Sequence, residues 1–296
     1  MAAFAFSPTI YSRTYQEYLE NMLVGTQVCN TDFEGEMAYG KRVQVWVPGT
    51  VTNYAYTVNV GNGQDAEVPT DTEEYLDINV AREFKFTVDV LNMVQGRLDP
   101  TGAYQRAGIY GLANHLDAAV LAQYTNVHAD NVVYPAAAVT SATIEGLFAQ
   151  AARIMAQRNA PTDRGWYCVV SPRVKQEINS CVSARGGTQL SDIAMSNGYV
   201  GTFRGFKIYE SNNVVSTRGA GTSGLPAGTS GQYVHKCLFG CPAGMSLVQQ
   251  IPVASVTTFD PTPINGIGIK GLLLYGLKMW RSGVLNGVIN TWWATA

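Results

Sequence analysis

Alternation of apolar and polar positions dominates the first third of the chain. Over 41–48, Val43, Val45 and Val47 share one parity, and Arg42, Gln44 and Trp46 share the other. Tyr54, Tyr56, Val58 and Val60 alternate again. Turn formers flank them, Pro48-Gly49 on one side and Gly61-Asn62-Gly63-Gln64-Asp65 on the other. The pattern predicts a β-hairpin over 41–72 with a polar tip. Next, Leu76, Ile78, Val80, Phe84, Phe86, Val88 and Val90 fall on one face, while Asp77, Asn79, Glu83, Lys85, Thr87 and Asp89 fall on the other. Arg82 is the one break on the apolar side. A period of two held over 76–90 predicts a single strand of roughly 50 Å at about 3.3 Å per residue. The usual strand has about five or six residues. So long a strand suits a flat, extended subunit better than a compact enzyme.

Helical spacing takes over at three places. Tyr15, Tyr18, Leu19, Met22 and Leu23 predict a short amphipathic helix over 15–24 on an extended N-terminal arm, with Gly25 ending the pattern. Asp99-Pro100-Thr101-Gly102 opens a long helix over 103–125, roughly 35 Å at about 1.5 Å per residue. Its more apolar stripe, Ile109, Leu112, Ala113, Leu116, Ala119 and Val120, is the predicted buried face. A third helix covers 143–158, with Ser141 or Thr143 as N-cap and Leu147, Ala151, Ile154 and Met155 inward. Beyond Asn159-Ala160-Pro161 the chain predicts a buried strand at 165–171 and a short helix from Pro172 to Asn179. Strands follow at 203–211, 233–239 and 246–256. The stretch 266–281 reads as strand broken repeatedly by Gly268, Gly271 and Gly276, and 283–293 closes the chain. The Gly/Ser/Thr/Ala tract 218–232 reads as a flexible surface loop.

Composition sharpens this picture. Only 14% of the 296 residues are charged, against about 25% in ordinary soluble domains. Either the exterior is polar without charge, or copies of the chain cover one another. A net charge of −2 and the lack of a Lys/Arg-rich run argue against a dedicated nucleic-acid-binding module. They remain compatible with a near-neutral wall facing packed DNA. The N-terminus lacks the pattern of a signal peptide. No apolar run reaches the roughly 20 residues that span a bilayer; the nearest is 271–277.

Candidate chemistry is sparse. The cysteines, Cys29, Cys168, Cys181, Cys237 and Cys241, are too few and odd in number for a disulfide framework and read as reduced thiols. His235, Cys237 and Cys241 offer three metal-type ligands, but no second pair completes a zinc set. His115 reads as a helix-face histidine, and His128 stands alone in sequence. There is no Gly-x-Ser-x-Gly elbow, P-loop or dinucleotide fingerprint. The acidic groups Asp32, Glu34, Glu36 and Asp71, Glu73, Glu74 read as solvated charges or as partners for Lys or Arg of a neighbouring copy. The residues therefore imply no catalytic site, no cofactor and no metal.

The order of elements resembles the major capsid proteins of tailed bacteriophages, whose fold is shared with encapsulin shells and the herpesvirus capsid floor. Thr31-Asp32-Phe33-Glu34-Gly35-Glu36, then Tyr39-Gly40 and the Val43/Val45/Val47 strand, resemble the family's entry into its extended loop, and 76–90 with Gln95 resembles the return. The helix 103–125 resembles its spine helix. Asn159-Ala160-Pro161 with Val169-Val170-Ser171-Pro172, the segment Gly205-Phe206-Lys207-Ile208-Tyr209-Glu210-Ser211-Asn212-Asn213, and Tyr275-Gly276-Leu277-Lys278 are similar to its later motifs.

The resemblance implies an α+β fold: an N-terminal arm (1–32), an extended β-hairpin loop (33–75), a peripheral domain (76–130 and 256–296) with the spine helix, and an axial domain (131–255). It implies a structural subunit rather than an enzyme, joined to itself in hexamers and pentamers of an icosahedral virion shell around double-stranded DNA, assembled in the host cytoplasm. It places inter-subunit contacts on the hairpin, at Lys41, Trp46, Tyr54, Tyr56, Asn62, Asp65, Glu73 and Glu74. Covalent crosslinking would need a Lys and an Asn, for which Lys41 and Asn62 are the candidates. Because the arm begins almost at Met1, a separate scaffolding protein is the expectation, together with a portal and, optionally, a decoration protein. An encapsulin-like compartment and a hydrolase are the alternative readings.

Overall fold

The computed structural model describes residues 20, 23–35, 39–47, 51–55, 58, 67–89, 101–135, 138–184, 199–218, 233–261, 265–280 and 286–293. Of the predicted arm helix over 15–24 only residues 20, 23 and 24 are described, and they are not helical; the Gly/Ser tract past Arg218 lies outside these residues. Where the sequence pattern predicted a helix end at Gly25, a four-residue helix begins instead, α1 (Gly25–Val28).

Three sheets carry the strands. In the first, β1 (Arg42–Val47) pairs antiparallel with β2 (Thr72–Asp77), Arg42 opposite Asp77 and Val47 opposite Thr72. The second is built around β12 (Gly266–Met279). One edge of β12 pairs with β3 (Val80–Asp89), and the other pairs in turn with β11 (Val256–Phe259) and β10 (Met245–Ile251). The third has the order β4 (Val132–Val133), β13 (Asn286–Trp293), β9 (Tyr233–Gly240), β5 (Trp166–Val170), β7 (Phe206–Glu210), β6 (Tyr199–Phe203), with β8 (Ser216–Arg218) also on β9.

The long helix is α2 (Thr101–Leu121); its last turn tightens to 3-10 over Ala122–Asn126. Its buried apolar residues, Leu112, Leu116, Val120 and Leu121, lie largely on the stripe expected to face inward. The helix 143–158 is α3 (Ile144–Gln157), with Ile144, Leu147, Phe148, Ala151 and Met155 buried. Thr143 is its N-cap position, yet the hydroxyl does not cap. It turns back to accept from the Thr140 amide at 2.9 Å. The helix starting at Pro172 is longer than expected and reaches Ala184 as α4 (Pro172–Ala184).

Four expectations need correction. The strand over 76–90 is not continuous: Ile78 and Asn79 separate β2 from β3, which belong to different sheets. Parity alone could not see the break, because the apolar face is kept across it, with Leu76, Ile78 and Val88 all buried. The hairpin partner of β1 is therefore β2, whereas the described residues 51–55 form no strand. The segment 203–211 is a hairpin rather than one strand. Its turn residues Arg204 and Gly205 both take positive φ (49° and 86°), the conformation of tight two-residue turns. Finally, the glycines of 266–281 do not interrupt β12. A methyl on Gly271 would overlap the ring of Phe84, its cross-strand partner, and one on Gly108 of α2 would meet that same ring at 2.6 Å. The ring is wedged between strand and helix because both positions lack a Cβ. Gly271→Ala is expected to destabilise the fold by about 1–3 kcal/mol through overpacking, read by urea unfolding, with Phe84→Leu recovering part of the loss.

The sheets also cross the domain borders expected from the resemblance. β10 joins β12 and β3, while β13 returns to the sheet of β5, β7 and β9. One apolar cluster runs from Leu112 and Val120 of α2 through Tyr167 and Val169 of β5 to Ile208, Phe239 and Leu273.

Candidate inter-subunit surface

Residues 30–35 anchor the entry to the hairpin on the chain's own body. Asn30 donates its amide to the Met245 carbonyl at 2.7 Å and accepts from the Leu247 amide at 3.0 Å. Asp32 pairs with Arg164 at 2.9 Å, and the Arg164 hydrogen bond holds its carboxyl below the usual range. Phe33 stacks obliquely on Trp280 at 6.1 Å, and Glu34 accepts from the Gln249 amide at 3.3 Å. Of the first acidic group, then, Asp32 is engaged within the molecule, and Glu36 lies outside the described residues.

Above this anchor the hairpin base is fixed twice. Leu76 and Ile78 bury themselves with Val248 and Trp280, joined by Val43, Val45 and Leu274. On the opposite side, Arg42 donates to both oxygens of Asp77 at 2.5 and 3.1 Å and lies 4.8 Å over the Tyr75 ring. Such a fork-on-carboxylate pair holds Asp77 below its usual range. The Ile78 amide closes the base by donating to the Lys41 carbonyl at 2.9 Å.

Exposed apolar side chains gather around and beyond that base. Seven of the twelve large apolar side chains that stand exposed among the described residues fall within 39–75, including Tyr39, Trp46, Tyr54 and Val68. Trp46 is 61% and Val68 88% exposed. Of the contact residues expected from sequence, Lys41 is exposed at the base and Tyr54 is exposed beyond it. Glu73 accepts from the Tyr75 hydroxyl at 2.8 Å. Glu74 is half-buried and lines a cleft of about 200 Å³ with Phe33, Val45, Trp46 and Trp280. Tyr56, Asn62 and Asp65 lie outside the described residues. A further bond crosses the projection: Glu67 accepts from the Thr52 amide at 2.9 Å and from its hydroxyl at 3.1 Å.

The histidines are not brought together. His115 on α2 accepts from Arg82 Nε at 3.2 Å and contacts the Tyr275 hydroxyl at 3.3 Å, so it ties the long helix to β3 and β12. His128 accepts from the Asp130 amide at 3.2 Å, and His235 lies on β9. All five cysteines are free and buried, and burial pushes the Cys168 and Cys241 thiols up, away from the nucleophilic form. Among the described residues no three His, Cys, Asp or Glu side chains converge on a metal site.

Burial and the nearby Arg82 charge lower the His115 pKa. As the folded value lies below the unfolded one, the neutral ring contributes stability above the unfolded pKa, and that stability is lost as pH falls through the folded value. His235 is shifted the same way by burial and Arg173. The thermal midpoint is therefore expected to fall between about pH 7 and pH 5, and His115→Gln should flatten that slope.

Sequence reasoning missed a buried polar hub, Asp117 of α2, which is 2% exposed. Its Oδ1 accepts from the amides of Val24 (2.8 Å) and Gly25 (2.6 Å), and its Oδ2 from Ser211 Oγ (3.1 Å) and Asn213 Nδ2 (2.8 Å). Asn213 also donates to Asn114 Oδ1 at 2.7 Å. One carboxylate thus joins the arm, the long helix and the segment after β7. The signal was present: Asp117 is the one Asp, Glu, Lys or Arg between Arg106 and Asp130.

This arrangement, with an anchored arm, a projecting hairpin, a long helix on one sheet and a second, larger sheet, is the α+β fold of phage capsid chains. The likeness to solved structures extends over nearly the whole chain. A structure of Mycobacterium phage Che8 matches at 23% identity and TM-score 0.73, covering 97% of this chain and 98% of that one. The capsid structure of the cyanophage P-SCSP1u matches at 14% identity and TM-score 0.72, covering 97% and 93%. The mature capsid of bacteriophage PhiM1 matches at 16% identity and TM-score 0.62, covering 98% and 92%. Neither a protein-family model nor a curated protein sequence matches the chain.

Proposed function

We propose that this chain is the major capsid protein of a tailed phage, a structural subunit that assembles with copies of itself into an icosahedral shell around double-stranded DNA. The observation that carries the reading is the concentration of exposed apolar side chains on the hairpin and its entry. Exposed apolar area gathered on one projection marks an interaction surface. A charged fraction of 14% fits a molecule whose surface is completed by neighbours. Capsid chains with the same fold supply the geometry.

In this reading the hairpin lies across an adjacent subunit, head-to-tail contacts close into hexamers and pentamers, and the products reside in the virion. Residues 76–130, β12 and β10 form the peripheral part, and the sheet containing β5, β7, β9 and β13 forms the axial part. A separate scaffolding protein and a portal complete the assembly. Electron microscopy of the protein expressed with neighbouring phage genes tests this. Closed shells of uniform size are expected, whereas a monodisperse monomer at high concentration overturns the reading.

A further inference from the structure

Two charged features lack counterparts within the described residues, and they are opposite in sign. The first is Glu74. It pairs across the hairpin with Val45, on the side that packs against the body, and it is half-buried in a cleft that also includes Asn30, Phe33, Trp46, Ser246 and Trp280. Among the described residues no hydrogen bond or ion pair reaches its carboxylate; Lys278, 6.0 Å over the Trp280 ring, makes none with it. A partly desolvated carboxylate is stabilised by a cation, and aromatic rings favour the same cation.

The second is a lysine pair. Lys85 of β3 and Lys270 of β12 stand directly opposite in register, and both are exposed. Like charges so placed repel. Lys85 lies 4.3 Å over the Phe259 ring. Glu83 shares the face, but its cross-strand partner is Leu272, and it makes no ion pair with either lysine among the described residues.

These features do not meet within one molecule. Trp280 follows the end of β12, and Lys270 stands ten residues earlier on that strand, about 33 Å away at the rise of a strand. We propose that in the assembled shell the Glu74 cleft of one copy docks on the Lys85–Lys270 pair of the next. The cleft seats an ammonium group between carboxylate and rings, and the carboxylate relieves the repulsion of the pair. Because donor and acceptor lie at separate places on the molecule, the contact is heterologous and can close a ring.

The proposal rests on the capsid reading, and the test separates the two. Shells are assembled from a mixture of unlabelled and nitrogen-15-labelled wild-type chains and treated with a zero-length carbodiimide coupler. Tryptic fragments should show Glu74, in the peptide 43–82, joined to Lys85 or Lys270 of the opposite label. In a second arm, Glu74→Lys and the double variant Lys85→Glu/Lys270→Glu should each lower shell yield at least about tenfold, and the triple variant should recover most of it. Circular dichroism confirms that each variant is folded before it is scored, and the coupling arm needs only the wild-type chain. Wild-type shells without the Glu74 link, or a triple variant no better than its folded parents, overturn this contact alone. Absence of any wild-type shell overturns the capsid reading and the contact with it.

Discussion

A chain lacking residues 51–70 is expected to fold and to form no shells. The last registered hairpin pair is Val47 with Thr72, so all six pairs of β1 and β2 survive the excision. Pro48, Gly49, Thr50 and Asp71 remain as a four-residue connection, a length that hairpins tolerate. The buried base around Leu76, Ile78 and Trp280, the Arg42–Asp77 fork and the anchor at Asn30 and Asp32 are untouched. The excision does remove Val51, Tyr54, Val58 and Val68, four exposed apolar side chains of the projection. Circular dichroism and urea unfolding should match the parent, and electron microscopy should show no closed particles. Normal shells from this deletion would refute the assignment of the hairpin as the inter-subunit arm.

Asp117→Ala should give the largest loss of stability from a single substitution, about 2–4 kcal/mol, because several buried donors lose a carboxylate acceptor at once. Two backbone amides of the arm and a serine hydroxyl lose their acceptor at once, and the Asn213 amide keeps only Asn114 Oδ1. Each orphaned donor costs about 1–3 kcal/mol when water cannot reach it. Asp117→Asn keeps the shape but turns one oxygen into a donor, so one side of the network faces donor to donor, and an intermediate loss is expected. Urea unfolding at constant pH measures both. A loss below about 1 kcal/mol for the alanine variant would mean that water replaces the carboxylate and that the arm is held by other contacts.

Much of the fold was legible because local chemistry repeats with the period of the backbone. The alternation over 41–48 located β1, and the apolar stripe of α2 picked out Leu112, Leu116 and Val120 as core. The resemblance names Trp46 and Tyr54 as contact residues, and both side chains are exposed. Asp32 was read as a charge for solvent or for a neighbour, and it is instead spent on Arg164, a residue 132 positions away. The role of Ser211 and Asn213 is not legible in the sequence, although both lie inside a motif that carries the resemblance, because their partner Asp117 is more than 90 residues distant.

By itself, the sequence determined where most strands and helices run, which faces are apolar, that charge is scarce, and that the cysteines are free thiols. Those are properties of short windows, written in side-chain size and polarity at neighbouring positions. Only the tertiary structure decided that 76–90 serves two sheets, that Gly271 makes room for Phe84 instead of breaking β12, that β13 returns to the larger sheet, and that Asp117 fastens the arm. Each of these depends on which distant segment arrives alongside, and a pairing between segments far apart in sequence leaves no periodicity in either partner.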